Sequence, residues 1–124
     1  MNKKIREEVY SKCNGHCAYC GKEITYKEMW VDHIEPHWHT LTESEAKRSG
    51  IIKGSHDISN LNPSCIRCNK WKSTHSLESF RKVIETSLDR LERDTPNYRL
   101  ARDFGLLEVK PKPIVFYFES PFTN

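Results

Sequence analysis

Two C-x₂-C pairs, Cys17-Ala-Tyr-Cys20 and Cys65-Ile-Arg-Cys68, constrain this chain more than anything else in it. At that spacing both sulfurs of one turn reach the same ion, and two such knuckles complete a tetrahedral Zn²⁺ site. The competing reading, a redox pair, expects a βαβ context that is missing, and two redox pairs would be redundant. A tetrahedron filled by four protein ligands has no open position, so the zinc expected here is scaffold and does no chemistry. It staples an N-terminal helix to the start of a helical C-terminal part. The loop closed between the knuckles contains Asp32-His33 and Asn60. Cys13, the fifth cysteine, reads as a small residue near the end of the first helix and not as a ligand.

A staple matters because the chain has only 124 residues, enough for one domain with a modest core. The formal charge of +3 is a mild bias toward polyanions, and loading four thiolates with zinc would reduce it. Any affinity for nucleic acid must therefore come from local clusters of Lys and Arg. The N-terminal "MNKKIREEVYSKCNGHC" has a charged start but no apolar run behind it, and no stretch approaches a membrane span. These features predict a cytoplasmic protein, a compartment where paired cysteines more often hold metal than form disulfides.

The coarse organisation follows from periodicity and punctuation. Ile5 and Val9, four apart, predict a helix over Lys3 to Lys12 that stops near Asn14-Gly15. Met29 to Ile34 reads as a short strand with Val31 and His33 on one face and Trp30, Asp32 and Ile34 on the other, ended by Pro36. "TESEAKRSG" is a helical turn or more with Thr42 or Ser44 as cap and Gly50 as stop, and a second strand is expected at Ile51-Ile52 or at Ile58 to Leu61. Leu77, Phe80, Ile84, Leu88 and Leu91 predict one long amphipathic helix. Thr95-Pro96 opens another, Asn97 to Phe104, with Gly105 behind it. "KPKPIVFYFE" reads as a terminal strand too apolar to be fully exposed, packing on the domain or mediating self-association.

Set side by side, "VDHIEP", "ISNLNPSC" and "CIRCNKWKS" carry a family resemblance. C-x₂-C, then Asp-His-Ile-x-Pro, then Asn-Leu, then C-x₂-C-Asn-x-x-Lys resembles the HNH endonucleases, over Cys17 to about Ser73 and in the family's order. The resemblance implies an α+β fold: a small zinc-stapled ββα-metal core at about residues 13–75, within a single domain of residues 1–124. A helical extension and the terminal strand would occupy about 76–124. It implies His33 as general base and Asp32 as a ligand of a catalytic cation. Asn60 would order the loop that orients the base. Asn69 would be the second cation ligand, the Asn form of the motif's last letter. Hydrolysis of a phosphodiester needs a deprotonated water, neutralised phosphoryl oxygens and a stabilised leaving alkoxide. Histidine suits the first task, and hard oxygen donors such as Asp32 and Asn69 suit Mg²⁺ or Mn²⁺ for the others. Taken singly, Asp32-His33 could be a polar strand end, Asn60 a turn residue and Asn69 a helix N-cap. The conjunction favours a site.

The stretch from Pro36 to Asn60 is longer than in compact members of that family, and the usual double glycine is reduced to Lys53-Gly54. Lys53, Arg67, Lys70 and Lys72 flank the expected site and could engage backbone phosphates. Trp38 and Trp71 are expected to pack a thin core, and His56 to lie on the surface. The substrate expected is DNA, with RNA not excluded. Two rival readings are a non-catalytic zinc module that binds nucleic acid or protein, and a nuclease subunit active only inside a larger assembly. A restriction, phage-defence or packaging machine of prokaryotic or phage origin would fit the second.

Overall fold

A computed structural model of the chain describes residues 1–36, 42–49 and 54–120. It divides the chain into two compact units, Met1–Leu77 with Val115–Asn124, and Glu78–Ile114. Among the described residues no helix is long and apolar enough to cross a membrane.

The first unit opens with helix α1 (Lys3–Lys12). Asn2 caps it, its Oδ1 accepting from the Lys4 amide at 2.7 Å. The chain leaves α1 through two left-handed residues, Asn14 (φ 53°) and Gly15 (φ 79°), which are the stop that the sequence announces. Val9 is fully buried. Arg6 ties α1 to the next loop by donating to the carbonyls of Tyr26 and Met29, and Lys12 donates to those of Ile58 and Leu61.

Strands β1 (Trp30–His33) and β2 (Leu61–Ser64) form an antiparallel pair in which Trp30 faces Ser64, Asp32 faces Asn62 and His33 faces Leu61. Helix α3 (Ile66–Lys72) follows at once and packs against β1, giving a ββα arrangement. The second strand lies just beyond the expected Ile58 to Leu61, which instead forms a 3₁₀ turn at Ile58–Asn60. Residues 51 and 52 lie outside the described residues. Pro63 sits within β2 and argues against a strand, yet a two-stranded sheet has open edges on both sides, and its carbonyl accepts from the Ala18 amide at 2.8 Å. Between the strands, α2 (Glu43–Ser49) is capped as expected by Thr42, whose Oγ1 accepts from the Glu45 amide at 3.1 Å. Gly50, its expected stop, lies outside the described residues.

The C-terminal segment is not a strand. Residues 107–116 run without ladder pairing, and Tyr117–Glu119 is a 3₁₀ turn. The apolar content has a different use: Phe116 is 1% exposed and meets Tyr19 edge to face at 5.3 Å. The amides of Tyr117 and Phe118 donate to the carbonyls of Tyr19 and Ala18 at 3.1 and 2.8 Å. This segment therefore closes over the first cysteine knuckle of its own chain. Gly21 (φ 79°) permits the approach, since a Cβ there would stand 2.9 Å from the Tyr117 ring.

The second unit is helical. The expected long helix is two, α4 (Leu77–Glu85) and α5 (Ser87–Asp94). Three side chains compete for the Val83 carbonyl that a continuous helix would give to the Ser87 amide: Thr86 Oγ1 at 3.3 Å, Ser87 Oγ at 3.2 Å and a short bond from Arg90. Hydroxyls that bond back to the preceding turn break helices in this way. Helix α6 (Pro96–Asp103) packs on α5, with Pro96 in its first turn and Gly105 (φ 74°) behind it, as the sequence predicts.

Candidate nuclease site

The knuckles meet. The sulfurs of Cys17, Cys20, Cys65 and Cys68 lie within 4.8 Å of one another, and Cys20 and Cys65 Sγ are 3.9 Å apart. Four sulfurs about 2.3 Å from a Zn²⁺ stand about 3.8 Å apart at the corners of a tetrahedron, so the cluster fits that ion with little adjustment. Each knuckle is preformed by backbone bonds. The Gly21 amide donates to the Cys17 carbonyl at 3.0 Å, and Cys65 caps α3 through its sulfur, which accepts from the Cys68 amide at 3.4 Å. The Cys17 thiol is held down at about 4, chiefly by a hydrogen bond from Cys68, whose own thiol that same bond pushes up. One thiolate is thus already favoured before a cation displaces the remaining protons. Cys13 is buried in the core, as expected of a small apolar residue.

Asp32 lies at the centre of a buried polar cluster. It is 4% exposed, and its Oδ2 accepts from the Tyr19 phenol at 2.5 Å and pairs with the Lys72 ammonium at 3.1 Å. Lys72 is fully buried, and its Nζ also donates to the His33 carbonyl at 2.9 Å. Burial raises the Asp32 carboxyl above its ordinary range, opposed by the Lys72 charge and the Tyr19 hydrogen bond. Burial, and then the Asp32 charge, keep the Tyr19 phenol protonated. Asn62, cross-strand from Asp32, donates weakly to the Tyr19 oxygen at 3.5 Å, and its own Oδ1 is buried without a partner among the described residues.

Lys72 thus corrects the sequence reading. It is no phosphate contact but the counter-ion that lets a carboxylate sit inside the ββα unit. The other proposed basic residues divide. Lys70 is exposed on α3, and Arg67 is exposed with its charge favoured foremost by hydrogen bonding to the sulfurs of Cys20 and Cys68. Lys53 and Trp38 lie outside the described residues. Trp71, expected in the core, is 58% exposed on α3.

His33, one residue on from Asp32, is half-buried at the end of β1, and its Nε2 lies 2.9 Å from Nδ1 of His56. Asn60 clasps the loops on either side. Its Oδ1 accepts from the Glu35 amide at 2.9 Å, while its Nδ2 donates to the carbonyls of Glu35 at 3.0 Å and Ser55 at 2.8 Å. Gly54 lies within this clasp, its amide bonded to the Pro36 carbonyl, and a Cβ there would fall 1.8 Å from the Glu35 oxygen. Only glycine fits, which is the physical content of the reduced glycine pair noted in the sequence. Asn69 stands one turn into α3, so it is not the helix cap; Cys65 is. Its half-buried side-chain amide makes no hydrogen bond among the described residues, while its backbone amide donates to the Cys65 carbonyl at 3.0 Å.

The site therefore has three parts on one ββα frame: Asp32 with Lys72 and Tyr19, His33 with His56, and Asn69 on the helix packed against β1. The sequence reading gives no site role to Tyr19 or to His56, whose surface position it does predict. Gly54 did leave a sequence signal, as the surviving glycine of a family pair.

Residues 17–75 match the family model described as HNH endonuclease. No curated protein matches the chain. Among solved structures, the chain is similar to the Type II-C Cas9 enzyme from Actinomyces naeslundii, with 21% identity and a TM-score of 0.50. That similarity covers 79% of this chain but only 11% of the Cas9 chain, and it is a likeness of fold. The knuckles, the Asp32-His33 strand end, Asn60 and Asn69 all fall inside the matched segment, and residues 17–75 are an HNH endonuclease domain.

Proposed function

We propose that the chain hydrolyses phosphodiester bonds in DNA, with His33 as the general base and a divalent cation held by Asp32 and Asn69. The observation that supports this best is the setting of His33. It lies half-exposed at a strand end, beside a buried carboxylate, on a loop that Asn60 holds through both backbone groups of Glu35. A base must meet its water at a fixed distance, and ordering both flanks of the residue serves that need.

The donor set suits Mg²⁺ or Mn²⁺. Lys72 and Tyr19 both address Oδ2 of Asp32, so Oδ1 is the oxygen offered to a cation, together with the unbonded amide oxygen of Asn69. When bound, the cation would neutralise charge on the phosphoryl oxygens and the leaving oxygen. Because the Lys72 charge offsets that of Asp32, the protein supplies little net negative charge there, and phosphate oxygens of the substrate would have to complete the site. Lys70 and the exposed Trp71 lie on the outer surface of α3, where a backbone phosphate and a base or sugar face could be met.

The test is a supercoiled-plasmid assay with Mg²⁺, Mn²⁺ or EDTA, run for the parent and for His33→Ala. The variant should retain zinc and fold while cleavage falls by about 10²–10⁴-fold, the usual contribution of a general base. A variant that cuts as fast as the parent would remove His33 from the mechanism. Salt-sensitive binding with no metal-dependent cutting by either protein would favour the non-catalytic module. Cutting that appears only with a partner would favour the assembly subunit.

A further inference from the structure

Two donors converge on one oxygen of the Asp32 carboxylate. The Tyr19 phenol lies 2.5 Å from Oδ2 and the Lys72 ammonium 3.1 Å from the same atom. The donors differ in kind. Lys72 ends a flexible four-carbon stem with three rotatable N–H groups, so alone it could swing to the other oxygen or bridge both. The phenol carries a single O–H on a rigid ring and reaches only the oxygen at which the ring is aimed. With both in place, Oδ2 is committed to the protein and Oδ1 is left to another partner.

The aim of that phenol is built into the fold. Tyr19 lies between Cys17 and Cys20, so the cysteine cluster fixes its stretch of backbone. The neighbouring Ala18 amide donates to the Pro63 carbonyl of β2 at 2.8 Å, and the Tyr19 carbonyl accepts from the Tyr117 amide at 3.1 Å. The residue is 4% exposed, and its ring meets those of Phe116 and Phe118 edge to face, at 5.3 and 5.9 Å. The two phenylalanine rings lie 11° from parallel and form a clamp beside the tyrosine. Asn62, across the sheet from Asp32, donates weakly to the phenol oxygen.

Resting on Asp32 as a ligand of the catalytic cation, we infer that Tyr19 is a positioning residue: it pins Oδ2 so that Oδ1 is presented to the cation, and the clamp of Phe116 and Phe118 keeps it aimed. Groups that hold a metal ligand in place from behind commonly contribute about 10–100-fold to metal affinity or activity. The C-terminal segment, which carries no letter of the family motif, thereby acts on the cation site through a single ring.

Tyr19→Phe tests this, since it keeps the ring and removes only the O–H. Zinc content and thermal unfolding establish that the variant is loaded and folded. Mn²⁺ is then titrated into each zinc-loaded protein and the free ion counted by electron paramagnetic resonance, with Asn69→Ala identifying which binding event belongs to the site. The dissociation constant of that event should rise by about tenfold or more in Tyr19→Phe. In the plasmid assay the Mn²⁺ concentration for half-maximal cleavage should rise by the same factor, with KM for DNA unchanged and the parent's rate restored at saturating Mn²⁺. A merely structural defect would not be recovered by the ion. Phe118→Leu, which keeps the phenol and removes one wall of the clamp, should weaken Mn²⁺ binding by a smaller factor, and should weaken it no further in Tyr19→Phe. Unchanged affinity in Phe118→Leu overturns the clamp. Unchanged affinity in Tyr19→Phe, beside a loss in Asn69→Ala, overturns the positioning role and leaves the cation site standing. No Mn²⁺ binding by the parent, or binding that Asn69→Ala does not weaken, overturns the cation site and this inference with it.

Discussion

Replacing Lys72 with Met separates two roles that predict opposite outcomes. As a phosphate ligand, Lys72 would cost nothing in stability when removed and would lower the salt dependence of DNA binding by about one unit of slope. As the buried partner of Asp32 it should do the reverse. Its side chain is fully buried and that of Asp32 is 5% exposed, with the ammonium 3.1 Å from the carboxylate and 2.9 Å from the His33 carbonyl. Removing one member of such a pair costs about 3–5 kcal/mol, because the remaining charge has neither solvent nor counter-ion. The Tyr19 phenol remains as a donor, and a carboxyl whose pKa burial already raises can escape by taking a proton, so the lower end, about 3 kcal/mol, is expected. The pH dependence has a definite sign. Raising the folded-state pKa of Asp32 further means that the deficit of the variant grows as pH rises above the folded-state value of the parent, which burial already holds above the ordinary carboxylate range, and shrinks toward acid. Denaturant midpoints of the zinc-loaded parent and Lys72→Met at several pH values measure this. Adding Asp32→Asn should recover part of the loss. A Lys72→Met protein within about 0.5 kcal/mol of the parent, or one with a reduced salt slope, would refute the argument.

Gly54→Ala should force the Pro36 and Asn60 loops apart, because its Cβ meets backbone at 1.8 Å, with a stability loss of about 1–3 kcal/mol and impaired cleavage, read by thermal unfolding and the plasmid assay. Cys65→Ser removes one sulfur of the cluster and the α3 cap together. It should reduce bound zinc to well under one per chain and abolish hydrogen-exchange protection in β1 and β2, whereas unchanged zinc content would show that the cluster is not the binding site.

Features written in local chemistry were legible in the sequence. The Asn-Gly stop of α1, the Thr42 cap, and the proline and glycine that bracket α6 each need only a few consecutive residues. The cysteine cluster was legible because ligand spacing is itself a local code. Features set by pairing across the chain were not. Nothing near Lys72 indicates that a carboxylate far off in the sequence takes its charge inside, so a lysine beside a presumed site reads as a phosphate contact. The break at Thr86 was hidden because the apolar spacing continues through it, while the cause lies in hydroxyl and guanidinium competition for a single carbonyl. The same limit applied to the site. Motif letters identified candidates one by one, but the Asn60 clasp and the His33–His56 contact depend on how loops of unequal length fold back.

Val115 to Ser120 has a practical consequence for anyone dissecting the molecule. A fragment trimmed to the family-matched segment would end at 75 and so omit Phe116, Tyr117 and Phe118, along with the helix that contributes Val9. Such a piece would carry every letter of the family motif yet present a raw apolar wound at its first cysteine knuckle, and its failure in a tube would say nothing about chemistry. The helical stretch 78–114, by contrast, is a parenthesis in the chain, opened and closed by residues of the same folded body. That is where natural or engineered length variation could be absorbed with least damage.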